Sequence, residues 1–215
     1  MKRMYLQVFD DMVQCSDAEV RRLLLVVCPQ RREKALQFKF LQGQYACLKA
    51  YEMLTLGVQQ ILSQNPSENL NQLSAWNGNF VYNEHGKPFF QNKSDGQRIP
   101  NVDFNLSHCK NGIAVAINDQ PVGVDIESFH NIDSPLIKRT MNEAEIQQIN
   151  ASNNPAKVFT QLWTQKEAVL KLLGTGLIDN LHDVLNDCQH KYQIETMVDE
   201  QKQYACSVAT YLIDK

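Results

Sequence analysis

The chain has 215 residues, a length typical of one domain or of two small halves that share a core. Nine glycines, seven prolines and a hydrophobic content of 43% exclude the disordered and fibrous classes. The 21 basic and 24 acidic residues leave a net charge of -3, so a globally basic surface that coats nucleic acid is not expected.

The sequence favours a cytoplasmic protein that binds neither membrane nor nucleic acid. Its longest apolar run, 23–28, is far shorter than the ~20 residues that a membrane-spanning helix needs. The basic first residues are followed too soon by Asp10 and Asp11 to form a signal peptide. Six cysteines lie far apart without a C-x-x-C pair, a pattern typical of reduced thiols.

The first half of the chain is predicted to be mainly helical after one short strand. Ser16 and Glu19 form a capping-box pattern, in which each side chain can bind the other residue's free backbone N–H. Apolar spacing over 31–62 predicts a long helical region, with Gly43 and Gly57 as the expected places for a break or bend. The polar residues that follow, 63–79, predict a loop with at most one short helical turn.

From residue 80 onward the pattern changes to short strands followed by a further helix. Branched and aromatic residues predict strands at 80–82, 87–90, 102–106, 113–117 and 122–127. Asn154 before Pro155 predicts the start of a helix that ends at Gly174. The last 35 residues contain further strand candidates, the clearest at 204–213. Together these elements predict an α+β fold.

Two carboxylates in the strand 122–127 suggest a metal site. Asp125 and Glu127 share one face of that strand with Cα atoms ~6.5 Å apart, while apolar residues occupy the other face. Carboxylates exposed beside a glycine suit a hard cation such as Mg²⁺, so we expect Asp125 to be accessible in a cleft. The segment alone leaves open a second interpretation, two solvated acids on an edge strand.

A second candidate lies in the helix near residue 170. Trp163, Glu167 and Lys171 are spaced by four residues and therefore lie along one ridge. A glutamate four residues before a lysine is also the usual surface ion pair. A tryptophan on the same ridge argues against that alternative, because surface ion-pair faces seldom carry one.

The third candidate, 104–110, is a strand that ends in polar residues. Ser107, His108 and Lys110 offer a hydroxyl, an imidazole and an ammonium to a phosphate. A turn-capping serine beside an incidental histidine is the alternative. The sequence has no P-loop and no G-x-G-x-x-G, so a phosphorylated ligand would depend on metal and on single donors.

Four segments in chain order resemble the signature set of the 4′-phosphopantetheinyl transferases, and the length resembles the monomeric surfactin-synthetase-activating type. They are Gly86-Lys87-Pro88, Phe104-Asn105-Leu106-Ser107-His108, Gly123-Val124-Asp125-Ile126-Glu127 and Trp163-Thr164-x-Lys166-Glu167-Ala168-x-x-Lys171. The resemblance implies an α+β fold of two similar α/β halves related by a pseudo-twofold axis, with the active site in the cleft between them. We place the halves at 1–118 and 119–215.

The resemblance also implies an activity and its residues. Such enzymes use Mg²⁺, with Mn²⁺ as an alternative, to move the phosphopantetheine arm of coenzyme A onto a serine of an apo acyl or peptidyl carrier protein, releasing 3′,5′-ADP. The implied metal ligands are Asp125, Glu127 and Glu167, the catalytic residues Glu167 and Lys171, and the coenzyme A contacts Lys87, Pro88, Ser107, His108 and Lys171. Three converging acids would raise one another's pKa without a dication, which agrees with that assignment.

The chain departs from the family pattern at one place. The family often has an arginine near the start of the long N-terminal helix to bind the 3′-phosphate, whereas 40–46 contain no basic residue. Arg31, Arg32 and Lys34 are the candidate substitutes. The alternatives to a transferase are an Mg²⁺-dependent hydrolase of a coenzyme A-like pyrophosphate and a non-catalytic carrier-protein-binding module. A monomer is expected, and the sequence does not select a carrier protein.

Overall fold

The computed structural model describes residues 4–64, 66–129, 134–176, 180–186 and 188–212. The strands in these ranges are β1 (Tyr5–Phe9), β2 (Trp76–Tyr82), β3 (Pro88–Asn92), β4 (Asp103–His108), β5 (Ile113–Asn118), β6 (Val122–Ser128), β7 (Tyr192–Asp199) and β8 (Tyr204–Tyr211). The α-helices are α1 (Asp17–Val26), α2 (Pro29–Leu36), α3 (Leu41–Ser63), α4 (Glu68–Asn71), α5 (Ser134–Thr140), α6 (Glu143–Ala151), α7 (Pro155–Leu173) and α8 (Cys188–Lys191). Within the described ranges, no helix combines the length and apolarity needed to cross a membrane.

The strands form antiparallel sheets whose order repeats. One three-stranded sheet has the order β1-β5-β4 and another the order β6-β8-β7, while β2 and β3 form a hairpin. In each larger sheet the chain runs through an outer strand, then a long helix, then the other outer strand, and returns to the centre. Helices packed on antiparallel sheets confirm the predicted α+β class; the pseudo-twofold axis stays a prediction.

The two larger sheets meet through β5 and β6. Ala114 and Ala116 of β5 pack in one apolar cluster with Val124 of β6, whereas Ile113 and Val115 pack toward α3. The small residues of β5 therefore admit the second sheet on one face while its branched residues fill the first core on the other. The strand β5 is therefore covered on both faces.

The predicted long N-terminal helical region is two helices, and the break is not at a glycine. Phe40 takes an extended conformation (φ -106°, ψ 144°) at the start of α3, which separates α3 from α2. A methyl group on Gly43 would lie 2.8 Å from Cδ1 of Phe38, and one on Gly57 would lie 2.6 Å from Cε1 of Tyr5. Both glycines thus permit close aromatic packing instead of bending the helix.

The predicted loop 63–79 is also more ordered than expected. It contains the end of α3, the short helix α4, a 3₁₀ turn at Gln72–Ala75 and the start of β2 at Trp76. Leu70 and Leu73 are buried in the core beneath α3. These two apolar positions in an otherwise polar stretch are what fold it against the domain.

The bounds of α7 follow its capping residues, as predicted. The side chain of Asn154 accepts the backbone N–H of Lys157 at 3.1 Å, and Pro155 occupies the first turn. At the other end Gly174 has a left-handed φ of 69° and donates its N–H to Leu170 O at 2.9 Å. The two caps therefore fix where α7 begins and ends, and with it which residues face β6.

Gly123 sets how closely α7 approaches β6. A methyl group at this position would lie 2.0 Å from Ala168 O and 2.4 Å from Leu172 N, both backbone atoms of α7. The helix therefore rests directly on the strand, and no larger side chain fits unless the backbone moves.

We expect Gly123→Ala to destabilise the protein by about 1–3 kcal/mol or more, because α7 must move away from β6. The matched control is Gly112→Ala, whose added methyl would lie 2.7 Å from the tip of the flexible Ile126 side chain. Urea denaturation of both variants measures the difference. Equal losses of unfolding free energy would show that α7 does not rest on Gly123.

Candidate active site

A serine, an aspartate and a lysine meet where β4, β6 and α7 converge. Ser107 donates its hydroxyl to Asp125 Oδ1 at 2.7 Å, and Lys171 Nζ lies 2.5 Å from the same oxygen and 3.0 Å from Ser107 Oγ. The structure thus brings together three residues that the sequence analysis selected from separate segments.

Asp125 is buried, which corrects the expectation of an accessible carboxylate. Its side chain is 3% exposed because Ser107 and Lys171 cover Oδ1. Its other oxygen, Oδ2, is buried and has no hydrogen-bond partner among the described residues. A buried carboxylate oxygen without a partner is costly, so this atom favours a donor or a cation.

Glu127 and Glu167 lie half-buried near Asp125. Burial, followed by the charge of Asp125, raises the pKa of Glu127 to about 7, against a smaller lowering by Lys171. Burial and the charge of Asp125 likewise raise the pKa of Glu167, again against the effect of Lys171. The three acids therefore repel one another, and Lys171 supplies part of the compensating charge.

The three carboxylates have the oxygen ligands that a hard cation prefers, although their side chains do not converge on one point. Among the residues described, no group of three or more His, Cys, Asp or Glu is arranged to hold a metal ion. The unpartnered Oδ2 of Asp125 and the raised pKa of Glu127 both indicate uncompensated negative charge. Carboxylate oxygens are what Mg²⁺ prefers, so the residues suit that ion in kind.

Lys87 lines a cavity together with Glu167 and Lys171, but its ammonium binds other protein atoms. Its ammonium is buried and donates to Asp103 Oδ2 at 2.7 Å, to Leu172 O at 3.1 Å and to Val122 O at 3.3 Å. An ammonium has three N–H donors, and protein atoms take all of them. This arrangement does not favour the expected phosphate contact of Lys87.

His108 is exposed at the end of β4 and lies edge-on to Phe38, with ring centroids 6.3 Å apart. Loss of solvation beside the protein lowers the pKa of His108 most. The positive charges of Lys171 and Arg31 lower this pKa further, whereas the charge of Asp125 raises it. His108 is therefore biased toward the neutral imidazole. Arg31 is the candidate 3′-phosphate residue whose charge reaches His108, whereas Arg32 donates to Leu24 O at 2.9 Å on the exposed surface.

Two cavities flank this cluster. One of about 320 Å³ is lined by residues that include Gly86, Pro88, Asn105, Glu167 and Lys171. The other, of about 380 Å³, is lined by residues that include Phe38, Phe40, Gly43, His108 and Lys110. Pro88 and His108, predicted to contact one ligand, thus line neighbouring cavities.

The sequence analysis missed Asp103 and Asn105. Together with Ser107 they form one polar face of β4: Asp103 Oδ2 accepts Val122 N–H at 2.9 Å and Asn105 Oδ1 accepts Val124 N–H at 3.2 Å. Alternation of polar residues at 103, 105 and 107 was the available signal, because a strand places every second residue on one face.

Trp163 packs α7 against an apolar cluster beside the site. Its ring lies parallel to that of Phe159, with centroids 6.3 Å apart, and packs against the apolar cluster around Met141 and Ile149. Of the three residues along this ridge, Trp163 therefore has a packing role, whereas Glu167 and Lys171 lie at the candidate site.

The raised pKa of Glu127 predicts a pH dependence of stability. Because the folded pKa is about 7 and the ordinary value is 4.5, the folded state binds a proton that the unfolded state has lost between these values. The contribution is present below pH 4.5 and is lost as pH rises through 7. Thermal unfolding from pH 4.5 to 8 in EDTA should show this loss, and Glu127→Gln should flatten it.

The matched control for this prediction is Glu195→Gln, which removes an exposed carboxylate from β7. Its profile should follow that of the parent. An unchanged slope in Glu127→Gln would contradict the raised pKa.

Comparison with known proteins shows which family this chain is similar to. The model of the 4′-phosphopantetheinyl transferase superfamily matches residues 121–213, which contain β6, α7, β7 and β8. The chain is 32% identical over 124 residues to 4′-phosphopantetheinyl transferase gsp of Aneurinibacillus migulanus, covering 57% of this chain and 48% of that protein.

Two further relatives align over longer stretches. 4′-Phosphopantetheinyl transferase Sfp of Bacillus subtilis is 27% identical over 164 residues, 75% of this chain and 66% of the relative. 4′-Phosphopantetheinyl transferase psf-1 of Bacillus pumilus is 27% identical over 219 aligned positions, 97% of this chain and 83% of the relative. The chain thus spans from about half to about four-fifths of the length of these three proteins. Part of it is similar to the 4′-phosphopantetheinyl transferase superfamily, and the chain resembles the Sfp-type proteins.

Proposed function

We propose that the protein transfers the 4′-phosphopantetheine arm of coenzyme A to a serine of an apo acyl or peptidyl carrier protein and releases 3′,5′-ADP. The observation that carries the proposal is the meeting of Ser107, Asp125 and Lys171 beside a cavity lined by Glu167. A positively charged side chain and several carboxylates beside a cavity suit a reaction at a phosphate group. The names of the three relatives support the same activity.

Coenzyme A would lie along the two cavities. Lys171 is the donor for its pyrophosphate, because its ammonium is partly exposed and reaches the centre of the site. His108 is the further phosphate donor, Ser107 lies beside it with its single proton donated to Asp125, and Pro88 is an apolar wall of the first cavity. Arg31 is our candidate for the 3′-phosphate, since its charge already reaches His108.

Asp125, Glu127 and Glu167 would hold Mg²⁺ or Mn²⁺. When bound, the ion supplies positive charge to the phosphate oxygens of the reacting pyrophosphate. Ser107 orients Asp125 through its hydrogen bond, so Oδ2 is the oxygen left for this task. Lys171, which neutralises Asp125 in this arrangement, is then available to a phosphate.

Glu167 is our candidate for the base. The carrier serine oxygen forms a bond to phosphorus, the bond to the 3′,5′-ADP oxygen breaks, and the serine proton passes to Glu167 directly or through water. A carboxylate with a raised pKa accepts a proton more readily than an ordinary one. Lys171, one turn later, opposes that rise.

The repeated order of the two larger sheets supports halves at 1–118 and 119–215 related by a pseudo-twofold axis. Each half would contribute one long helix, α3 or α7. Such halves would meet at β4 and β6, where the candidate site lies. A cytoplasmic monomer that needs no nucleic acid or membrane remains our expectation.

The test is to incubate the protein with coenzyme A, Mg²⁺ and a panel of apo-carrier proteins and to weigh the carriers. Transfer adds about 340 Da, the mass of the arm calculated from its formula. Asp125→Asn keeps the shape of the side chain but removes the charge bound by Lys171, so we expect turnover to be lost without unfolding. Arm released without a carrier would favour the hydrolase, and carrier binding without a mass change would favour the non-catalytic module.

Glu167→Gln should slow the chemical step by about 10²–10⁴-fold, the usual effect of losing an acid–base group. Carrier binding should persist, and coenzyme A binding should fall only as far as metal affinity does. The measurement is single-turnover transfer at saturating Mg²⁺, with the exposed Glu143→Gln on α6 as the matched control. A parental rate in Glu167→Gln would leave this residue without a role as the base.

A further inference from the structure

We propose that Lys87 is a positioning residue: its buried ion pair with Asp103 fixes the C-terminal end of α7, and thereby Lys171, against β6. The role assigned to Lys171 rests on the proposed function, whereas the ion pair and its effect on α7 do not.

The pair is buried and close. The Nζ of Lys87 lies 2.7 Å from Oδ2 of Asp103, and the two side chains are 7% and 3% exposed. Charges this deeply buried persist only when each has a partner, so neither residue is free to serve an external ligand at no cost. Both side chains are therefore assigned to the structure of the protein and not to a ligand.

The pair joins separate parts of the chain. Lys87 precedes β3 and also donates to Val122 O in β6 and to Leu172 O in α7, while Asp103 in β4 also accepts Val122 N–H. One ammonium and one carboxylate thus connect the turn of the β2–β3 hairpin, two strands from different sheets and the end of a helix.

The contact with Leu172 O has a specific effect on α7. The last carbonyls of a helix lack partners within the helix, and a positive charge there also interacts favourably with the helix dipole. Lys87 therefore acts as a C-terminal cap supplied from outside the helix. Leu172 directly follows Lys171, so fraying of this turn would displace the Lys171 ammonium from Asp125.

The turn that carries Lys87 holds the same helix end a second time. Asn83 donates its side-chain amide to Gly174 O at 2.8 Å, and its Oδ1 accepts the backbone N–H of Lys87 at 2.8 Å. A methyl group on Gly174 would lie 3.0 Å from Cδ of Lys87, which shows how tightly the two segments pack. The side chains of this turn thus face the end of α7.

The test compares Lys87→Met, Asp103→Asn and the double variant. Asp103→Asn keeps an acceptor for Val122 N–H but leaves the Lys87 ammonium without its counter-charge. Each single variant should lower the melting temperature by about 6–20 °C, and the uncharged double variant should recover much of that loss. Deuterium uptake in the last turn of α7 should rise in all three, with no rise in its first turn.

Lys166→Met is the matched control, because it breaks another buried ion pair on α7. Lys166 is fully buried and binds Glu145 Oε2 and Leu181 O, both at 2.8 Å, away from the helix end. It should lower the melting temperature to a similar degree without raising exchange in the last turn. Well below melting, its single-turnover transfer rate should stay within threefold of the parent, whereas the Lys87 and Asp103 variants should lose at least tenfold.

Coenzyme A affinity, measured by calorimetry without metal, separates positioning from direct contact. A direct phosphate contact predicts a loss of roughly 10–150-fold in Lys87→Met and none in Asp103→Asn, which would overturn the proposal. Positioning predicts that Asp103→Asn and Lys87→Met lose affinity equally. Melting and exchange as expected, with no transfer by the parent, would reject the proposed function and leave the role of the ion pair intact.

The parent protein gives a test that requires no variant to fold. A buried, paired Lys87 should show slowly exchanging Nζ protons in ¹⁵N NMR, and their shifts should move little when coenzyme A is added. Loss of that protection, or a large shift on binding, would show that the ammonium leaves Asp103 for the ligand and would overturn the proposal.

Discussion

The candidate site depends on how the polar face of β4 meets the free edge of β6. Since β8 pairs with only one side of β6, the other side presents backbone N–H groups that need acceptors. Asp103 accepts from Val122, Asn105 accepts from Val124, and Ser107 donates to the side chain of Asp125. Two sheets are thereby joined through side chains, and the last of these contacts is with Asp125, the candidate metal ligand.

Charge compensation is the second constraint on the site. Burial and the charge of Asp125 raise the pKa of Glu127 and of Glu167, and Lys171 is the cation that opposes this effect. Lys171 is more exposed than Asp125, so it can leave at lower cost than the buried carboxylate. The arrangement is consistent with an ammonium that holds the acids together until a dication and a phosphate replace it.

Sequence reasoning succeeded where one residue has one local consequence. Asn154 and Gly174 predicted the ends of α7, and alternation along 122–127 predicted which side chains of β6 face the core. These features depend on backbone N–H groups and on strand geometry within a few residues. Convergence of Ser107, Asp125 and Lys171 was expected only through the family resemblance, because their separation along the chain hides it.

The features that the sequence analysis did not predict depend instead on contacts between distant parts of the chain. The partners of Lys87 lie in β4, β6 and α7, so its burial cannot be found from its neighbours in the sequence. The burial of Asp125 has the same cause, since its cover comes from β4 and α7. Gly43 and Gly57 were interpreted as helix breaks because a glycine signals either flexibility or close approach, and only the packing partner distinguishes the two.

Two buried lysines tie α7 to the rest of the protein, one at its middle and one at its end. Lys166 ties the middle of the helix to α6 and to the segment at 181–182, while Lys87 ties its end to β4 and β6. Glu167 and Lys171 lie within this fixed length of helix and need no close packing of their own. Replacing a buried ion pair with apolar side chains is often neutral or stabilising, so such pairs are weak contributors to stability. The directional bonds of Lys87 instead fix where the end of the helix lies, which the position of Lys171 requires.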